Sequence, residues 1–129
     1  MVTLHKIDLG ARLNTKIIFA TKVMTSAAGN VSYTGVGFKP TAIFGLFYGP
    51  GTSTHGFGII DKTTASGVGM NGSGVAYQDS PTTVFLLSPG SGVAFNATLV
   101  SLDSDGFTLN WTKVGSPTGT SQLAFLCFR

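Results

Sequence analysis

Between residues 15 and 129 apolar and polar positions alternate in short runs broken by Gly, Pro, Asn and Asp, and no run keeps a helical period. Period-2 alternation marks half-buried strands, and a run apolar on both parities marks a strand covered on both faces. TKIIFATKVM (15–24), VSYTGVGF (31–38), PTAIFGLFYG (40–49), GFGIID (56–61), TTVFLLS (82–88), VAFNATLVSLD (93–103), GFTLNWTKV (106–114) and QLAFLCFR (122–129) read as strands. KTTASGVGMNGSG (62–74) reads as a long glycine-rich loop, and VAYQDSP (75–81) fits neither pattern.

Two details sharpen this reading. Asp103-Ser104-Asp105-Gly106 separates two alternating runs, and Asp followed by Gly suits a tight hairpin because both tolerate turn geometry. That places Phe107, Leu109 and Trp111 in the core, with Thr108, Asn110 and Thr112 outside. Gly35 and Gly37 interrupt their strand, as glycines do at a bulge or a close backbone approach. In 41–48, Ile43 and Phe47 point one way while Ala42, Phe44, Leu46 and Tyr48 point the other. Residues 122–128 are also apolar on both parities, so each of these strands asks for cover on its second face.

Seven or eight short strands with regular turns predict an all-β fold, an antiparallel β-sandwich over residues 16–129. Residues 1–15 show no clean period, although Leu4, Ile7, Leu9 and Leu13 alternate with Lys6 and Arg12. They read as an extended N-terminal arm, and those six residues as its partner-binding set.

Composition supports this picture. Glu is absent, Gly, Ser and Thr supply 18, 12 and 17 residues, and ten Phe need burial. Only 10% of residues are charged, against ~25% in an ordinary soluble domain. So little surface charge predicts partners over part of the surface, in a homo-oligomer. Residues 1–40 carry Lys6, Arg12, Lys16, Lys22 and Lys39 against Asp8, so the basic end points to an acidic protein partner. These singly spaced cations, without an aromatic platform, do not suggest nucleic acid. No apolar run approaches a membrane span, and the first residues lack a signal-peptide pattern.

Candidate chemistry is thin. GVGMNG (67–72) has the spacing of a dinucleotide fingerprint but no following helix and no acidic residue ~20 positions on. Asp103-Ser-Asp105-Gly lacks the bidentate Glu of a calcium loop. Cys127, the single cysteine, lies in the apolar run LAFLCF and reads as a buried thiol. His55 has Ser53 and Asp61 nearby in sequence but no nucleophile elbow. The expectation is therefore no enzyme, no cofactor and no metal. Tyr48, His55 and Tyr77 remain as a candidate ligand loop for a carbohydrate.

TGVGFKPTAIFGLFYG (34–49) and LVSLDSDGFTLNWTKVGSPTGTSQLAFLCFR (99–129) resemble small virion proteins of tailed bacteriophages. In that family a GF-x-P phrase leads an apolar strand, and a D-G-F-T hairpin precedes an aliphatic last strand. The order is also similar to H-type lectins, which are trimeric, sugar-binding β-sandwiches. Gly37, Phe38, Pro40, Asp105, Gly106 and Phe107 match as fold markers. The lectin pattern has a Trp in the last strand where this chain has LAFLCF, so no sugar-contacting residue is carried over. The resemblance implies a trimeric capsid decoration protein located on the virion and docked on the major capsid protein. The alternative it implies is a tail- or fibre-associated, lectin-like receptor-binding module.

Overall fold

The computed structural model describes residues 14–49, 54–70, 76–78, 83–90 and 92–129. The described strands are Thr15–Val23 (β1), Gly29–Thr34 (β2), Ala42–Tyr48 (β3), His55–Asp61 (β4), Ala65–Met70 (β5), Ala76–Gln78 (β6), Thr83–Gly90 (β7), Val93–Asp103 (β8), Gly106–Val114 (β9) and Thr120–Phe128 (β10). They form two antiparallel sheets, one of six strands ordered β1-β10-β3-β4-β5-β6 and one of four ordered β2-β9-β8-β7. The fold is all-β and the two sheets pack as a sandwich. All eight expected strands are present.

Between the sheets the alternation places large side chains from both layers. Trp111, Phe85, Phe95, Phe107 and Phe125 are fully buried, with Ile43, Leu109 and Cys127 beside them. Tyr33 stacks on Phe107 at 5.1 Å between centroids and meets Phe125 at 4.8 Å. Its hydroxyl accepts a hydrogen bond from Trp111 Nε1 at 3.2 Å, so the two polar atoms of this aromatic cluster satisfy each other. Burial pushes the Tyr33 phenol up to about 12, with the Trp111 bond pulling weakly the other way.

The β8–β9 hairpin forms where Asp103-Ser104-Asp105-Gly106 predicts it, with Asp103 opposite Gly106. A side chain at Gly106 would run into the Tyr33 carbonyl, so this position admits only glycine. Gly35 and Gly37 adopt φ of 87° and 84°, in the left-handed region that glycine tolerates best. They end β2 and let the chain turn towards β3.

One expectation is corrected. Residues 62–74 are not a single loop, because Ala65–Met70 forms β5 on the edge of β4. Gly67 and Gly69 of the GVGMNG run thus lie in a strand, opposite Gly58 and Gly56. On β3 and β4 two glycines leave room for neighbours: a side chain on Gly56 would collide with the Val68 carbonyl and the Phe47 ring, and one on Gly45 with Phe85. Glycine in this sheet marks close packing from beneath.

Candidate assembly surface

The six-stranded sheet has a second face, turned away from the core. Register places Ile17, Leu126, Phe44, Ile59 and Ser66 in one row across β1, β10, β3, β4 and β5. The next row holds Phe19, Ala124, Leu46, Phe57 and Val68. These rows are open to solvent: Phe19 is 79% exposed, Ile17 54%, Ile59 52%, Leu46 50% and Phe57 49%. More polar rows flank them, Thr21-Gln122-Tyr48-His55 on one side and Thr15-Phe128-Ala42-Asp61 on the other. Asp61 is the single formal charge in these four rows, and it sits at a corner.

The face is uneven. Phe19 stands on an edge strand and is the most exposed of the described large apolar side chains. Three strands away, Phe44, Phe57, Ile59, Ser66, Gly67 and Val68 line a shallow apolar hollow of about 400 Å³. Phe44 and Phe57 wall it with rings 5.9 Å apart.

The four-stranded sheet presents a different outer face. Asn110 donates to Asn30 at 2.6 Å, and Ser32 and Thr108 share a hydrogen bond of 2.8 Å, so β2 and β9 are laced by polar side chains. Thr108 also donates to Asp103 at 2.8 Å. Hydrogen bonds from Ser101 and then Thr108 hold the Asp103 carboxyl below its usual range. Ordinary polar-outside patterning thus applies to one sheet and fails on the other.

The candidate ligand residues separate in part. Tyr48 and His55 are register partners on β3 and β4, both exposed, at one end of the apolar rows. Tyr77 pairs with Gly69 and so belongs to a different row. Asp61 lies at the far end of β4 from His55, about 20 Å along an extended strand, so the two form no dyad. Asp61 instead accepts bonds from Thr63 N, Thr63 Oγ1 and Thr64 N at 2.6, 2.8 and 2.7 Å, and the Thr63 amide leads in pulling its pKa down. The arm residues Leu4, Lys6, Ile7, Leu9, Arg12 and Leu13 lie outside the described residues, as does Ser53.

Charged and nucleophilic side chains also gather at the two ends of the sandwich. An open cleft of about 770 Å³ at one end of the sandwich is lined by Lys39, Lys62 and Arg129 together with Leu99, Val100 and Leu102. Asp61 also lines it, with its Oδ1 committed to the Thr63–Thr64 turn. At the opposite end Lys22 is buried, its Nζ 4.8 Å from the Phe95 centroid and 5.5 Å from that of Trp111. Desolvation, and then the nearby Lys113, lower its pKa. Cys127 is buried and its thiol is pushed up to about 11 by that burial, which suits packing rather than nucleophilic attack. Among the described residues no three His, Cys, Asp or Glu side chains gather into a metal site.

The sequence reading singled out the second faces of β3 and β10 but missed Ile17, Phe19, Phe57 and Ile59. The signal was there: in HGFGIID the glycines alternate with Phe57 and Ile59, so the large side chains take the face opposite the glycines.

No protein-family model, curated protein or solved structure matches this chain.

Proposed function

We propose that this protein is a non-enzymatic structural component of a larger assembly, and that it works by burying the outer face of its six-stranded sheet against protein. The uncovered apolar rows carry this reading. Contiguous exposed apolar surface of this kind marks an interaction site in a soluble protein. An aromatic side chain carries ~150–250 Å², so the half-open set of Ile17, Phe19, Leu46, Tyr48, Phe57 and Ile59 offers on the order of 600 Å². A standard interface takes ~800 Å² from each partner.

The resemblance of residues 34–49 and 99–129 to small virion proteins of tailed phages suggests the kind of assembly: a trimeric decoration protein on a capsid, with the basic arm reaching the major capsid protein. The test is co-sedimentation with bare capsids. Leu46→Asp with Phe57→Asp should leave the sandwich folded and abolish incorporation. Full incorporation of that variant would refute the reading.

The pairing of exposed Tyr48 with His55 favours a second reading, a carbohydrate-binding module of a tail or fibre. Glycan binding lost on Tyr48→Ala, with capsid binding absent, would support it.

A further inference from the structure

We propose, resting on the reading of the outer sheet as an assembly surface, that its partner is a second copy of this chain, with Phe19 of one copy seated in the Phe44–Phe57–Ile59–Val68 hollow of the next. Three observations carry this. The first is charge. Across the four rows Asp61 alone is formally charged, and its carboxylate is already held by Thr63 and Thr64. A neutral face gains nothing from a charged partner, and desolvating charge against it would be costly. The chain itself supplies a neutral apolar face of the same size.

The second is shape. Phe19 is the most exposed of the described large apolar side chains, and it stands on the edge strand β1. The hollow lies on the same face, three strands away at β4 and its edge with β5. At ~4.8 Å per strand the two are roughly 14 Å apart. Phe19 shares its register row with Phe57 and Val68. A two-fold axis running along the strands between β10 and β3 would therefore lay Phe19 of each copy over the other's hollow. Both knobs and both hollows are then used, so this contact is complete in a pair of copies and counts against the trimer that the resemblance suggests.

The third is area. About 600 Å² from the half-open residues, with the partly buried Phe44, Leu126 and Val68 added, approaches what each partner gives in a stable complex. Sheets packed face to face stand ~10 Å apart, close enough for a projecting phenyl ring to fill a depression opposite.

The test uses purified full-length protein in sedimentation. The wild type should be a dimer at micromolar concentration. Phe19→Asp and, separately, Val68→Asp should give monomers with unchanged circular dichroism and Trp111 fluorescence, whereas Phe19→Leu should stay oligomeric. A wild type that is monomeric, or a Phe19→Asp variant that stays oligomeric, overturns the inference. Monomeric wild type that still coats capsids would sink the self-contact alone and leave the assembly reading in place. Loss of capsid binding is not required by the self-contact, so the two fail separately.

Discussion

The Asp105 carboxylate, at the turn of the β8–β9 hairpin, accepts the Gly37 amide at 2.6 Å through Oδ1. Its Oδ2 takes the Gly35 amide at 3.1 Å, and its backbone carbonyl takes Val36 N at 3.2 Å. Three successive amides, sixty-eight to seventy residues away in the chain, are gathered on one aspartate. The D-G-F-T hairpin and the GVGF phrase are therefore two halves of one clasp.

The clasp predicts how its members fail. Gly37→Ala should cost about 1–2 kcal/mol, the price of a left-handed conformation for an L-residue. Nothing stands within 4 Å of the added Cβ, so no steric term is expected. Asp105→Ala should also lower the melting temperature, and Gly37→Ala made in that background should cost less than alone. Thermal melts of the two single variants and the double variant check the coupling. Strict additivity would dissolve the clasp.

Trp111 lies wholly inside the sandwich, with Phe95 5.3 Å away between centroids. Trp111→Ala should cost ~3–5 kcal/mol in urea unfolding. Tyr33→Phe should cost less, about 1 kcal/mol, by leaving the indole N–H without its acceptor.

Lys22 gives the stability curve a pH signature. Its pKa is lowered in the folded protein, so above that value the unfolded chain binds the extra proton and stability rises with pH. The gain develops between the folded value and 10.5 and is complete above it. Cys127 and Tyr33 act in the opposite sense: their raised values mean stability falls as pH climbs from about 9 to about 12. The two trends overlap, so the measurement is the difference between the wild type and Lys22→Met. That difference should shift in favour of the wild type as pH rises towards 10.5. A difference flat in pH would mean that Lys22 titrates as freely as in the unfolded chain.

The arm is the fourth case. Lys6 and Arg12 with Leu4, Ile7, Leu9 and Leu13 suit an acidic, partly apolar protein surface. Deleting residues 1–14 should leave a folded sandwich, because β1 begins at Thr15 and keeps its pairing with β10. It should lower affinity for capsids, and the loss should shrink as salt is added, since charge screening reaches ~8 Å at physiological ionic strength. Undiminished binding by the truncated chain would remove the arm as an anchor.

Eight strands were legible because their alternation is the pleat itself, and the 103–106 hairpin because Asp-Gly has few other uses. β5 was not legible. ASGVGM carries two glycines, and strand propensity disfavours glycine when read residue by residue. It forms all the same because it pairs with β4, where Gly56 leaves room both for the Phe47 ring and for the Val68 carbonyl of β5 itself. That information is tertiary and distant in sequence. The assembly surface was half legible. Strands apolar on both faces announced cover for β3 and β10, but β1 and β4 join the same face only through a pairing order, β1-β10-β3-β4, that no local pattern contains.

The near-absence of charge on the outer sheet also separates the two associations by their response to solution conditions. An apolar contact tightens in sulfate or phosphate and loosens on cooling, because its driving force is the exclusion of surface from water. An arm contact of the proposed kind, with its lysine and arginine, goes the other way as ions are added. If the arm is the anchor, concentrated kosmotropic salt should release the protein from capsids as intact oligomers. Cold, dilute buffer should then hold the arm while the proposed contact between copies weakens.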